Sequence, residues 1–418
     1  MFLFPERTCR PGWRRLNLTP FLSLACLTTS LALLLPSEPA VGQATVTSND
    51  ANSFATAIQT VLAVKPEGGG HVEAIAAINQ LADSQGAALL PVLQAMGDAS
   101  PLAKNWLRGL AAELLEQQTA SAGQLPQAEL EKFFADRSND PDARYLVYRW
   151  LTSDDSARRE AILETASDDP SLPLRYLANE RLIKLAAEAG EAGSEQKKSL
   201  YLRVLADARN PDQLQRVAKE LKSLGSEVDL ASELGMFTSW YLTGPFDNTD
   251  GAGFAPPAGP EESLLKEGTE RFDPEQTFAG KVGQVGWQKH VSQDPMGLVD
   301  LNPILDNAKD ATAYAYCVFE AEQATEVEAR LGSINANKVW VNGELVTANE
   351  VYHAGSRIDQ YVANCQIRPG TNWVLIKICQ NAQTESWAQD WQFQFRITDA
   401  MGKPSAVAPQ RFTTEGAQ

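Results

Sequence analysis

The histidines of this sequence give no sign of a catalytic centre. The chain has 418 residues and three histidines, His71, His290 and His353. Hydrolysis by a Ser-His-Asp or Cys-His arrangement needs a His that is oriented by a carboxylate. None of the three lies in a recognisable motif of that kind, and no GxSxG stretch is present. We therefore predict that the chain is not an enzyme and that it has no catalytic residues.

Carboxylates are the second group that could do chemistry. Glu261, Glu262, Asp247 and Asp250 lie close together in sequence, and paired carboxylates can hydrolyse glycosides. The chain has 53 acidic residues, so such neighbours arise by chance. Asp247 and Asp250, in the stretch DNTDG, are also weak calcium candidates, although the EF-hand spacing is missing. The alternative is a turn capped by Asp and Asn side chains. We predict no other metal site and no cofactor.

Aromatic side chains give the better functional indication. Six of the nine Trp residues follow position 236. Trp387 lies in the polar stretch QTESWAQD, and Tyr352 lies in a loop after a predicted hairpin. Exposed aromatic faces can stack on sugar rings, and loops at one end of a set of strands are common binding positions. We predict Trp387 and Tyr352 as ligand-binding residues. The other candidates lie in apolar runs and are expected in the core: Trp240, Trp340, Trp373 and Trp391.

The C-terminal half reads as strands that would position these aromatic residues. In WQFQFRIT (391–398) apolar and polar residues alternate, a period typical of a strand with one buried face. Asn342-Gly343 between two apolar runs predicts a tight hairpin, because both residues tolerate positive φ. Before the strands, the Gly- and Pro-rich stretch from Thr243 to Glu262 predicts an irregular segment. The other strand predictions are 313–322, 326–334, 338–346 and 372–381.

The N-terminal half reads as helices. From 45 to 235, apolar residues recur at spacings of three and four. Polar turns that end in Pro predict new helices, because Pro suits the first helical position. Four such turns follow one another at spacings of 40, 29 and 41 residues, ending at Pro101, Pro141, Pro170 and Pro211. This length is that of the helix pairs in α-solenoids, and an irregular helical bundle is the alternative.

The first 44 residues have the layout of a secretory signal. Four Arg precede the apolar run from Phe21 to Pro36, and small residues follow up to Ala44. The run is shorter than the roughly 20 residues of a membrane-spanning helix. We predict an exported protein, periplasmic, cell-surface or secreted, without stable membrane insertion after cleavage. An uncleaved anchor is the alternative.

Composition and cysteine content limit the partners. The net charge of −17 repels nucleic acid, so we predict no nucleic-acid binding. After the signal, three cysteines remain, and the sequence leaves open one disulfide with a free thiol or three buried thiols. These are Cys317, Cys365 and Cys379.

Two resemblances follow from these stretches. The helical half resembles HEAT-type repeats over roughly 75–225, in the stretches NDPDARYLVYRWL and DDPSLPLRYLANERLI. The C-terminal half resembles galactose-binding-like jelly rolls over about 236–400, in the stretches WYLTGPF, KVWVNGELV and RPGTNWVLIKI. The second type includes the sugar-binding module of family 2 glycoside hydrolases, and such pairs of modules occur in exported proteins of planctomycete-like bacteria. PA14-type relatives carry an Asp pair before the WVNG-like hairpin. This chain has Asn335 and Asn337 in that region, which argues against a calcium-dependent sugar site of that type.

Together these features predict a multidomain α + β chain. The predicted parts are a signal peptide (1–44), a HEAT-like α-solenoid (45–235), an antiparallel β-sandwich of the jelly-roll type (236–400) and a flexible tail (401–418). We predict an exported, non-catalytic binding or scaffold protein, with helices for a protein partner and a sandwich for a glycan or protein. The alternatives are an accessory component of a polysaccharide-degrading system and a cryptic carboxylate-dependent glycoside hydrolase.

Overall fold

A computed structural model describes residues 48–122, 126–190, 193–266 and 272–412. The predicted signal peptide lies outside the described residues. Helices occupy the N-terminal half and antiparallel strands the C-terminal half, so the chain is α + β as predicted. In the described residues before Gly235 the helices are α1 Ser48–Leu62, α2 His71–Ala82, α3 Leu89–Ala95, α4 Pro101–Ala122, α5 Gln127–Ala135, α6 Pro141–Leu151, α7 Ser156–Glu164, α8 Leu172–Glu188, α9 Ser194–Asp207, α10 Pro211–Ser223 and α11 Leu230–Leu234.

The proline turns begin helices largely as predicted. Pro101, Pro141 and Pro211 are the first residues of α4, α6 and α10. The fourth turn differs, because α8 begins at Leu172 after Ser171, two residues beyond Pro170. A second proline, Pro173, lies in the first turn of that helix, where its missing N–H costs no hydrogen bond.

A basic side chain recurs at the fourth position of three helices and reaches the turn that opens a later one. Lys104 of α4 binds Asp140 at 2.7 Å, and Arg144 of α6 binds Asp169 at 2.6 and 2.9 Å. Asp140 immediately precedes Pro141, and Asp169 immediately precedes Pro170. Arg175, the fourth residue of α8, reaches the next turn only at the backbone oxygen of Asp207. We call these three contacts the basic ladder.

The C-terminal half contains two principal antiparallel sheets. The larger has the order β4-β1-β6-β11-β8-β9, with β13 also paired to β6, and the smaller has the order β10-β7-β12-β5. A two-stranded hairpin joins β2 to β3, and one short helix, α12 (Gly259–Leu264), precedes it. The strands are β1 Ser239–Asp247, β2 Thr277–Ala279, β3 Gln284–Gly286, β4 Gln288–Val291, β5 Val299–Asp300, β6 Ala311–Ala321, β7 Thr325–Gly332, β8 Ala336–Val341, β9 Glu344–Asn349, β10 Tyr361–Ile367, β11 Gly370–Gln380, β12 Gln392–Thr398 and β13 Val407–Pro409.

Residues of both principal sheets meet in one core. Trp240 and Trp391 are completely buried there, and the ring of Trp240 packs edge-on against Phe393 at 5.1 Å. The expectation that each strand buries only one face is wrong for β6, β11 and β12. Their second faces are also covered: Arg396 of β12, for instance, donates to the backbone oxygen of Leu234 at the end of α11.

Several local predictions are settled by the strand pairing. Asn342 and Gly343 form the two-residue turn between β8 and β9, with φ of 51° and 90°, as the sequence predicts. The stretch after Thr243 is less irregular than predicted, because β1 continues to Asp247. Strand β13 lies within the segment expected to be a flexible tail, and it pairs with β6.

The three cysteines of the strands are buried free thiols, which decides between the two alternatives that the sequence leaves open. Burial raises the pKa of Cys317 to about 12 and the pKa values of Cys365 and Cys379 to about 11. Within the described part of the chain, no helix combines the length and apolarity needed to cross a membrane.

Candidate functional site

The two ends of the sheets differ in their connections. At one end the strands are joined by short turns, such as Asn342-Gly343 between β8 and β9 and Arg368-Pro369 between β10 and β11. At the other end lie the loops after β1, between β9 and β10 (350–360) and between β11 and β12 (381–391). Both predicted ligand residues, Tyr352 and Trp387, lie at this loop-bearing end.

A network of buried amides fixes these loops to one another. Asn248 is completely buried, and its Nδ2 donates to the Tyr352 hydroxyl at 3.1 Å and to the backbone oxygen of Gln380 at 3.0 Å. Asn335 is also buried and donates to Gln380 Oε1 at 3.0 Å. Burying a polar group is costly unless its hydrogen bonds are made. These satisfied amides therefore hold the loops in one arrangement.

Three aromatic rings meet on this support, and we call them the aromatic site: Tyr352, His353 and Trp387. Trp387 is 59% exposed, and its ring lies edge-on to His353 with centroids 5.3 Å apart. The rings of Tyr352 and His353 are 6.4 Å apart. His353 Nε2 lies 3.0 Å from Asn381 Oδ1, which accepts the hydrogen bond. The structure thus brings the two predicted ligand residues together through His353.

The geometry of the aromatic site suits binding. Trp387 presents an apolar face to solvent, and the half-buried Tyr352 is fixed through its hydroxyl. Burial raises the pKa of Tyr352, and the hydrogen bond from Asn248 opposes that effect. Because the pKa lies above its usual value, Tyr352 remains a neutral phenol at physiological pH. The arrangement offers one exposed aromatic ring for stacking, on loops that the buried amides hold in place.

Of the two weak calcium candidates, Asp247 is already bound by neighbouring side chains. The carboxylate of Asp247 accepts from Thr249 Oγ1 at 2.7 Å and lies 3.4 Å from Lys281 Nζ. The hydroxyl of Thr249, helped by Lys281, holds the pKa of this exposed carboxyl below its usual value. Asp250 lies in the turn that follows, with φ of 55°. Among the residues that the structure describes, no group of three His, Cys, Asp or Glu residues could hold a metal ion.

Glu261, within the segment 254–264, belongs to a buried cluster with Lys377 and Tyr314. Its Oε1 accepts from Lys377 Nζ at 2.8 Å and from the Tyr314 hydroxyl at 2.5 Å. Lys377 is completely buried, and its Nζ also donates to the backbone oxygens of Phe254 and Pro256, each at 3.0 Å. Burial, followed by the charge of Glu261, raises the pKa of Tyr314. All three donors of the ammonium are used inside the fold, so this cluster anchors the segment.

Comparisons with known proteins identify no family. No family model matches the chain, and no curated protein matches it. A β-glucosidase from Kluyveromyces marxianus is 11% identical over 38% of this chain and 16% of its own, with a TM-score of 0.22. Its structure in complex with glucose is 13% identical over the same shares of the two chains, with a TM-score of 0.23. A GH31 α-xylosidase from Xanthomonas citri is 15% identical over 22% of this chain and 12% of its own, with a TM-score of 0.14. TM-scores this low do not establish a shared fold.

Sequence reasoning missed the residues that assemble the aromatic site. Asn248 is 104 positions before its partner Tyr352, and Asn381 is 28 positions after His353. The sequence does not single out His353, because it lies in no motif. The available signal was weak: Asn248, Asn335 and Asn381 all adjoin strand ends, where a polar side chain can bind the backbone of a neighbouring loop.

Proposed function

We propose that this chain is an exported, non-catalytic binding protein whose sheets form a jelly-roll sandwich of the galactose-binding-like type. The aromatic site at the loop-bearing end is its glycan-binding surface. The single observation that carries this proposal is the exposed ring of Trp387, held against His353 on loops that buried amides keep in place. A fixed aromatic face requires little ordering when a sugar ring stacks on it.

For the helical half we propose a HEAT-like solenoid that presents a surface to a protein partner. The basic ladder supports a repeated unit, because Lys104 and Arg144 occupy equivalent helix positions and bind equivalent turns. Exposed Val72 and Ile75 on α2 supply an apolar patch for such a partner. Replacing both with Ser should abolish co-elution of the protein with its partner in size-exclusion chromatography. Unchanged co-elution would place the partner elsewhere.

The glycan proposal is tested by binding of the protein to a glycan array, with and without calcium, followed by titration of the best ligand. Trp387→Ala should weaken binding by about 30-fold, because truncating a central anchor costs about 2 kcal/mol or more. Val282→Ala is the matched control, since Val282 is 85% exposed on the hairpin between β2 and β3. Binding is expected to be the same in calcium and in chelator.

Two outcomes would overturn the proposal. If no glycan binds, the sandwich is not a sugar module. If a glycan binds and Trp387→Ala leaves its affinity unchanged, the site lies outside the aromatic loops. A loss in both Trp387→Ala and Val282→Ala would point to a general effect on the fold, which circular dichroism spectra of the two variants would reveal.

A further inference from the structure

A cavity of about 310 Å³ lies where the helices meet the smaller sheet. Its walls include Arg175 and Tyr176 of α8, Arg209 and Asn210 before α10, and Gln213 of α10. None of these residues belongs to the aromatic site. The volume is at the lower end of the range for small-molecule pockets. We call this space the arginine cavity.

The cavity lies beside the third contact of the basic ladder, in which Arg175 binds a backbone oxygen and not a carboxylate. Lys104 and Arg144 each bind the Asp that precedes the proline of the next turn, Asp140 before Pro141 and Asp169 before Pro170. The residue in that position before Pro211 is Asn210, which is neutral. Arg175 is therefore bound only to backbone oxygens of Asp168, Asp169 and Asp207.

Arg209 adds a second charge beside it. Its Nη1 donates to the backbone oxygens of Ala206, Asp207 and Ala208, so it too lacks a direct carboxylate partner among the described residues. Burial, followed by the charge of Arg209, lowers the pKa of Arg175. The two guanidinium groups thus repel one another in a protein whose net charge is −17. An anion in the cavity would relieve that repulsion.

The opposite wall is electrically balanced and contributes no further free charge. Arg330 is bound by Glu328 and Asp359, and Asp359 also pairs with Arg396. Burial alone would raise the pKa of Asp359, but Arg396 and Arg330 outweigh it and hold the pKa below its usual value. Arg175 and Arg209 are therefore the guanidinium groups of the cavity without a direct carboxylate partner among the described residues, although the charges of Asp168, Asp207 and Asp169 also act on Arg175.

Two buried polar atoms of the lining have no partner among the described residues. One is a donor, Arg209 Nε, and the other is an acceptor, Gln213 Oε1. Gln213 is completely buried, and its Nε2 is already bonded to Tyr176 O and Glu180 Oε1. Buried polar groups without partners are rare and call for an explanation. A ligand that combines an oxyanion with a hydroxyl group would satisfy both atoms once the two side chains turn toward the cavity.

The rim supplies the remaining chemistry. Tyr176 and Leu172, one helical turn apart on α8, are each 40% exposed and border the opening. An aromatic ring beside arginines and an amide acceptor is suited to a flat or puckered ring that carries hydroxyl groups. We propose that the arginine cavity binds an acidic sugar, through an oxyanion that is either a carboxylate or a sulfate ester. This site is independent of the aromatic site.

The test uses isothermal titration of the Trp387→Ala protein, in which the aromatic site is disabled, with galacturonic acid, galactose 6-sulfate, galactose and inorganic sulfate. At least one acidic sugar should bind, and galactose should not. Preference for the first or second probe identifies the oxyanion as carboxylate or sulfate ester. Binding should weaken in 0.5 M NaCl because the attraction is partly screened. Equal affinity for inorganic sulfate would overturn the sugar part of the proposal, and no binding by any probe would overturn all of it.

The decisive variant is Asn210→Asp. Asp caps a helix as well as Asn does, so the bond to the backbone N–H of Gln213 is retained while Arg175 regains a carboxylate. Affinity for the acidic sugar should fall at least about tenfold, in line with the loss of a charge-assisted hydrogen bond. Asn52→Asp, which adds the same charge at an exposed position of α1 away from the cavity, should change nothing. A second variant, Arg209→Gln, should weaken binding similarly, and full affinity in both cavity variants would refute the assignment.

Discussion

Replacing Lys377 with Met should detach the segment 254–264 from the outer face of the larger sheet. The ammonium is completely buried, and all three of its donors are used, by Glu261 and by the backbone oxygens of Phe254 and Pro256. Met has nearly the same length but cannot donate. The Glu261 carboxylate, whose residue is 6% exposed, would keep only the hydroxyl of Tyr314 as a donor.

The expected magnitude follows from the burial of that charge. Removing one partner of a buried ion pair costs about 3–5 kcal/mol, because the other charge remains desolvated. Each orphaned carbonyl would add about 1–3 kcal/mol if it stayed buried. The segment can instead open to water, which would hydrate these carbonyls. The loss of stability should then stay near the cost of breaking the ion pair alone. We therefore expect Lys377→Met to lower the free energy of unfolding by about 3–5 kcal/mol, or to expose residues 254–264 locally at a similar cost.

Two measurements distinguish these routes: guanidinium unfolding for the global effect and amide hydrogen exchange for residues 254–264. Lys338→Met is the matched control, since Lys338 is the register partner of Lys377 and makes one hydrogen bond, to Ala255 O at 3.2 Å, beside a contact with the Phe254 ring. Its cost should stay below about 1 kcal/mol. Adding Glu261→Gln to Lys377→Met should recover part of the loss, because no buried charge then remains. An unchanged unfolding midpoint together with unchanged exchange would refute the reasoning.

Three further outcomes are expected. The pKa of Asp359 in the folded chain lies below the ordinary value of 3.8, so its contribution to stability should be complete above about pH 4 and lost as the pH falls through the folded pKa. The free energy of unfolding should therefore fall less between pH 6 and pH 3 in Asp359→Asn than in the unmodified protein. Gly343→Val should lower the free energy of unfolding by about 1–2 kcal/mol or more, measured in urea, since Val is strained at positive φ. The buried thiols should resist alkylation at pH 8 until denaturant is added, as peptide mass spectrometry would show for Cys317, Cys365 and Cys379; modification of the native chain would contradict their burial.

Features set by neighbouring residues could be predicted from the sequence. Asn342-Gly343 specifies a tight turn by its own backbone preferences, and Pro101, Pro141 and Pro211 mark helix starts by fixed φ and a missing N–H. Trp387 was identified because a Trp within a polar stretch has no apolar neighbours with which to enter a core. Its 59% exposure agrees with that reasoning.

Features that depend on the pairing of residues distant in sequence could not be predicted. Lys377 lies in the run WVLIKICQ, where an alternating pattern would place a lysine on a solvent face, yet the segment 254–264 covers that face. The bond between Asn248 and Tyr352 depends on the register of β1 and β11 with β6. No local preference reports such a register. The same holds for β13, whose short sequence becomes a strand only because β6 offers it an open edge.

The contact between Arg396 and Leu234 has a consequence for the last helix of the N-terminal half. The helical repeat proposed above would end with an apolar face, and repeat proteins usually cover such a face with a dedicated terminal unit. Here Leu234 is 1% exposed, Met236 bridges to Arg396, and Arg396 donates to the last carbonyl of α11. The smaller sheet therefore covers the C-terminal end of the helical half, and a chain shortened after Gly235 would expose Leu234 to water.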